Sequence, residues 1–176
     1  MSKDGNKEIE IKLSYKNKRE ILDKLGPTAK FAGIKNFHDI YYRFKDNEMK
    51  NTNDALRLRI TEEASELTYK SKTEDRDNVW HRTELTTTVS SPEILDQILS
   101  GVGIQRLYEY QSQKEYWMLD GCEIVFAHFT LPAELDFMEI EGSSEKEIRT
   151  VVERLGDSVV EVGENFFKVF DNARNK

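Results

Sequence analysis

Glu8-Ile9-Glu10-Ile11-Lys12-Leu13 alternates charged and apolar residues without a miss. Successive side chains of an extended chain point to opposite faces, so this stretch predicts a strand with one charged and one aliphatic face. The same period returns in Ala55-Leu56-Arg57-Leu58-Arg59-Ile60, in Leu67-Thr68-Tyr69-Lys70-Ser71-Lys72 and in Phe137-Met138-Glu139-Ile140-Glu141, which stops at Gly142. Trp80 to Thr88 is rich in Thr and carries Arg82 and Glu84 two apart. Residues 104–119 and 122–129 flank Asp120-Gly121, a hairpin dipeptide, and 31–44 predicts a further strand before a turn at Lys45-Asp46-Asn47-Glu48.

Helices are fewer. Residues 16–25 read as one, stopped by Gly26-Pro27. Ser90 with Glu93 fits a capping box, followed by an apolar face of Ile94, Leu95, Ile98 and Leu99. Ser144 with Glu147 repeats the box before Ile148, Val151, Val152 and Leu155, and a short helix is expected around 163–170.

The chain has 176 residues, 38% of them hydrophobic and 34% charged, which suits one globular domain spanning 1–176 with frayed ends at 1–7 and 172–176. The fold class is α+β. No apolar run approaches the roughly 20 residues of a membrane-spanning helix, and no apolar stretch follows the N-terminal charges as in a secretory signal. A single cysteine, Cys122, excludes an internal disulfide; the expected address is the cytoplasm. Net charge is −7, from 33 acidic and 26 basic residues, which argues against general nucleic-acid affinity.

Collecting the charged strand faces gives Glu8, Glu10, Lys12, Arg57, Arg59, Lys70, Lys72, Arg82, Glu84, Glu139 and Glu141. Alternating charges are ordinary on a water-facing sheet. The clustering of sign is not: Glu-x-Glu stands near both ends of the chain, whereas Arg-x-Arg and Lys-x-Lys fill the middle strands. Like charges two apart on one face repel and need counter-ions. Acidic pairs are satisfied by divalent cations with oxygen ligands, and basic pairs by polyanions such as phosphates.

In order and spacing, Glu8-x-Glu10-x-Lys12, Asp39-x-Tyr41-Tyr42, Leu56-Arg57-Leu58-Arg59, Lys70-x-Lys72, Arg82-x-Glu84 and Glu139-Ile140-Glu141 resemble the CYTH superfamily of triphosphate tunnel metalloenzymes. These include class IV adenylyl cyclases, thiamine triphosphatases and inorganic tripolyphosphatases. The resemblance implies an eight-stranded antiparallel β-barrel, a tunnel with its charged faces inward and helices packed outside. It further implies that Glu8, Glu10, Glu139 and Glu141 hold Mg²⁺ or Mn²⁺. Lys12, Arg57, Arg59, Lys70, Lys72, Arg82 and Lys114 would bind the triphosphate, with Lys12 and Arg57 carrying the catalytic role. The substrate would be a small molecule bearing a triphosphate: tripolyphosphate, ATP or thiamine triphosphate. Hydrolysis is the first expectation, cyclisation of ATP to cyclic AMP and pyrophosphate the second, and polyphosphate binding without turnover the third. No nucleic-acid or membrane partner is expected, and an exterior apolar helix or strand edge could support a homodimer.

The late strands depart from the family pattern. Ser112 stands where relatives usually carry Lys, and Lys114 where they carry Arg, which keeps charge but loses bidentate geometry. Ala127 stands about where relatives place an Asp metal ligand, which would weaken one metal site; restoring Asp there should raise turnover if the gap limits catalysis. His128 is adjacent, but alternation turns it to the opposite face; His38 and His81 are weaker candidates. The His-Phe pair that often precedes the first Glu-x-Glu of the cyclase branch is replaced by Gly5-Asn6-Lys7. Phe166, Phe167 and Phe170 have helical spacing that suits cover for the barrel exterior, and one of Tyr41 and Tyr42 should face the tunnel. Trp80 and Trp117 take no assignable function.

Overall fold

A computed structural model describes residues 7–44, 54–164 and 170. The chain runs β1 (Lys7–Tyr15), α1 (Lys18–Leu25), β2 (Lys30–Phe44), β3 (Ala55–Ile60), β4 (Ser65–Lys70), β5 (Glu74–Arg76), β6 (Val79–Thr88), α2 (Pro92–Gly101), β7 (Ile104–Leu119), β8 (Cys122–Leu131), β9 (Leu135–Glu141), α3 (Glu145–Leu155) and β10 (Val159–Glu161). Eight strands close into an antiparallel barrel in the order β1-β9-β8-β7-β2-β3-β4-β6, with β6 returning to β1. The short strands β5 and β10 extend the edges of β6 and β1 and were not visible as periodic stretches.

The aliphatic face of β1 points outward and the charged face inward. Ile9, Ile11 and Leu13 join Ile21 and Leu25 of α1 and Ile148, Val151 and Leu155 of α3 in the main core, which lies between barrel and helices. Burying each such side chain is worth about 1.5–3 kcal/mol, so these helices are held by their apolar faces more than by propensity. A second outer cluster sets Leu99 of α2 against Ile40, Tyr42 and Leu58. Among the described residues, no helix is long and apolar enough to cross a membrane.

Local signals set the boundaries. The Asn17 side chain caps α1 by accepting from the backbone N–H of Arg19 and Glu20, and Gly26, at φ 74°, ends it. Ser144 Oγ accepts from the Glu147 N–H at the start of α3, while the Glu147 carboxylate takes its return bond from Ser143. The box expected at Ser90 does not form: Ser91 is the N-cap, without a side-chain bond, and Pro92 opens the helix. Half of the expected apolar face of α2 is exposed, at Ile94 and Ile98. The Asp120-Gly121 turn has φ of 52° and 84°, the left-handed pair of a type I′ hairpin. The turn expected at 45–48, the frayed ends and most of the helix expected at 163–170 lie outside the described residues.

Candidate functional site

Inside the barrel lies a cavity of about 750 Å³. Its wall carries Glu8, Glu10 and Lys12 from β1, Arg57 and Arg59 from β3, Lys70 from β4, Arg82 and Glu84 from β6, Lys114 from β7, and Glu139 and Glu141 from β9. Every candidate except Lys72 is therefore on one surface. Strand β4 ends at Lys70, so the alternation that would turn Lys72 inward has stopped, and Lys72 is exposed outside the cavity lining.

Register explains the grouping. Across β1 and β9, Glu10 faces Glu141 and Lys12 faces Glu139; across β1 and β6, Glu8 faces Arg82. Acids and bases pair closely. Lys12 Nζ lies 2.6 Å from Glu10 Oε1, and Arg82 Nη2 lies 2.9 Å from the same oxygen. Arg82 also bonds Glu8 and lies 3.2 Å from Glu84, while Lys70 bonds Glu84 and lies 3.6 Å from Glu8. Lys114 Nζ reaches Glu139 at 2.8 Å. Arg59 grips Asp39 with two bonds of 2.7 Å and stacks over Phe37, a fork that lysine could not make.

Arg57 differs. It is 8% exposed, its nearest acceptor is Thr68 Oγ1 at 3.5 Å, and its Nε is buried without a hydrogen-bond partner. Among the described residues it makes no ion pair. Lys70 feels this surplus: burial, then Arg82 and Arg57, push its ammonium down to about 8, against the pull of Glu8 and Glu84.

The carboxylates divide likewise. Burial opposes ionisation of Glu10, but Lys12 and Arg82 outweigh it and hold the carboxyl well below the usual range. Burial and the neighbouring Glu10 raise Glu8 to about 7. Burial, then Glu10 and Glu123, raise Glu141. Glu123 is raised by burial too, against Lys114 and Lys35.

Glu123 was missed in the sequence. It lines the cavity from β8 and faces Glu141 directly across β8 and β9, which completes a row Glu10–Glu141–Glu123. What hid it was the β8–β9 register, which the sequence alone does not announce. Asp39 and Trp80 also line the cavity without having been assigned a role.

Ala127 has the inward parity of Val125 and Phe129, but it sits in an apolar cluster with Tyr110, Phe129, Phe137 and Phe170. The Phe170 ring lies tilted 4.9 Å from Tyr110 and edge-on 5.1 Å from Phe129, both of them cavity-lining residues, so it packs on the interior side and not on the barrel exterior as expected. Phe166 and Phe167 lie outside the described residues. Tyr41 joins the same cluster, while Tyr42 packs in the outer core and bonds Asp96 of α2. Ser112 is buried opposite Phe37 and Phe129. His38, His81 and His128 lie off the cavity wall, beside Glu109, Glu145 and Asp136.

The donor set suits a hard divalent cation, since it offers carboxylate oxygens and no thiol or imidazole. Among the described residues, no three acidic, His or Cys groups are gathered tightly enough to hold one as they stand. Glu10 and Glu139 must first turn from Lys12 and Lys114, and Glu123 and Glu141, which make no ion pair among the described residues, are already available.

Comparison with solved structures identifies the same barrel elsewhere. The PH1012 protein of Pyrococcus horikoshii OT3 matches at TM-score 0.73 and 24% identity, over 92% of this chain and 98% of that one. A Hippeastrum protein, described as a candidate adenylyl cyclase with a dominant triphosphatase activity, matches at TM-score 0.74 and 17% identity over 94% and 96%. A candidate adenylate cyclase from Vibrio parahaemolyticus matches at 0.72 and 11% over 96% and 99%. At these identities the likeness is one of fold. Comparison with curated proteins finds no match. The family profile of the CYTH domain matches residues 6–159, most of the chain, and with its barrel and inward charges the protein belongs to the CYTH domain family.

Proposed function

We propose that the protein is a divalent-metal-dependent triphosphatase, hydrolysing inorganic tripolyphosphate or an organic triphosphate. The observation that carries this reading is Arg57: a buried guanidinium with an unmade hydrogen bond, which together with burial and Arg82 lowers the proton affinity of Lys70. Such a group leaves a positive potential in the cavity, and a polyanion is what satisfies it. The family membership and the triphosphatase activity described for the Hippeastrum neighbour support the same substrate class.

In this reading Arg57, Lys70, Arg82 and Lys12 bind the phosphoryl oxygens, and Arg59 and Lys114 extend the cradle along β3 and β7. Arg57, which no carboxylate among the described residues neutralises, faces the phosphoryl group where charge develops, and Lys12 holds an equatorial oxygen beside it. Glu10, Glu139 and Glu141, with Glu8 and Glu123 alongside, would hold Mg²⁺ or Mn²⁺, which would supply Lewis-acid stabilisation of that charge. The bases now paired with acids change partners: phosphate takes Lys12, Lys114 and Arg82, which frees the carboxylates.

Incubation with tripolyphosphate or ATP, with Mg²⁺ and separately Mn²⁺, tests the reading by its products. Orthophosphate is the expected one. Cyclic AMP with pyrophosphate would replace the hydrolase by a cyclase on the same cradle, as the descriptions of two structural neighbours suggest.

A further inference from the structure

Trp80 lies on the cavity wall of β6, two residues before Arg82, and is 8% exposed. Its register partner across β1 and β6 is Glu10. Lys12 Nζ sits 3.7 Å from the centroid of the indole while its Glu10 contact is 2.6 Å. One ammonium, 3% exposed as a residue, is thus held by a carboxylate and by the face of an aromatic ring.

We propose that Trp80 is a positioning residue for Lys12, keeping its ammonium aimed into the cavity while Glu10 turns from the lysine to a cation. This rests on the polyphosphate reading above. A ring face attracts a cation by its quadrupole and gains strength where water is excluded. It does so without offering an oxygen, so it does not compete with phosphate for the ammonium's donors or with the carboxylates for a metal. An aliphatic side chain at 80 would leave Lys12 leaning on Glu10 alone of these two, which favours the closed ion pair over phosphate binding. Trp117, the other indole of the chain, donates to Glu115 and packs edge-on to Phe31, away from this surface, so the two tryptophans separate cleanly in an experiment.

The test uses inorganic tripolyphosphate with Mg²⁺ as the probe. In Trp117→Phe, where Trp80 is the remaining indole, saturation should change the emission with the dissociation constant given by calorimetry, and the further change Lys12→Met should remove that response. Trp80→Leu should weaken tripolyphosphate binding about tenfold, with Trp80→Phe recovering most of the loss. In a Lys12→Met background, Trp80→Leu should cost nothing more; a merely structural role would lower affinity in both backgrounds. Equal binding by the wild type and a folded Trp80→Leu, or silent Trp80 emission at calorimetric saturation, overturns the proposal while the polyphosphate reading stands. No calorimetric binding by the wild type removes both. Should Trp80→Leu not fold, the emission response and the Trp80→Phe affinity decide.

Discussion

Two stretches of the same barrel wall obey one alternation and carry opposite chemistry. On β1, β6 and β9 the inward positions include Glu8, Glu10, Lys12, Arg82, Glu139 and Glu141; ion pairs link Glu8, Glu10, Lys12 and Arg82, and Glu139 pairs with Lys114. On β8 the inward positions pass from Glu123 to Val125, Ala127 and Phe129, and there aromatic rings replace ions. The first stretch concentrates charge on the cavity wall; the second closes the wall with dispersion and hydrophobic contacts. Facing inward thus fixes a position but not its chemistry, and the boundary between the two stretches decides where a polyanion can lie.

The largest break in that contrast comes from Arg82, which pairs with Glu8, Glu10 and Glu84 together. Removing one member of a buried ionic cluster strands the others, so Arg82→Ala should lower stability by about 3–5 kcal/mol in denaturant unfolding. An unchanged midpoint and slope would show that the cluster contributes little. Arg57→Ala should do the reverse. With no ion pair to lose among the described residues, it should change stability by less than about 1 kcal/mol, yet weaken tripolyphosphate binding about ten- to a hundredfold as charged hydrogen bonds vanish. Unaltered calorimetric affinity would remove Arg57 from the cradle.

Ala127→Asp probes the apolar side. It brings a carboxylate among Tyr110, Phe129, Phe137 and Phe170, with Lys114 of the adjacent strand already bound to Glu139. The expected result is a loss of about 1–3 kcal/mol and no gain in turnover. A more active, equally stable variant would restore the view that position 127 is a missing metal ligand. The smallest effect concerns pH. With Lys70 lowered to about 8 in the free protein, metal-free affinity for tripolyphosphate should be full below that value. It should fall above it, by up to about tenfold per pH unit, as binding comes to require proton uptake. Lys70→Arg should flatten this limb; a limb that persists in that variant would assign it elsewhere.

Legibility in the sequence followed contrast between faces. Where charged and aliphatic residues alternate, as in 8–13 and 55–60, both the strand and its inward side could be read, and β3 was delimited to the residue. In Val125-Phe126-Ala127 both faces are apolar and buried, so period alone could not say which side chain looks inward. Lys72 fell on the wrong side of a strand end, a boundary set by pairing with β3 and β6 rather than by composition. Glu123 and Trp80 depended on cross-strand register, a property of two strands at once. Asp39 was seen as part of a motif, but its grip on Arg59 needed the β2–β3 ladder to appear.

The barrel is closed by β1, whose ladders reach β6, β9 and β10 and pair Glu10 with Glu141 and Leu13 with Glu161. During synthesis β1 therefore has no barrel partner among the described strands until β6 emerges, and its ladders are complete only when β9 and β10 have followed. Such distant pairing slows folding and leaves a strand edge open meanwhile. A strand reading Ile, Ile, Leu on one face would be a hazard in that interval, and the interleaved Glu8, Glu10 and Lys12 act as gatekeepers against premature association. The residues that later line the cavity thus first serve the nascent chain, keeping its opening strand in solution until the last ones arrive.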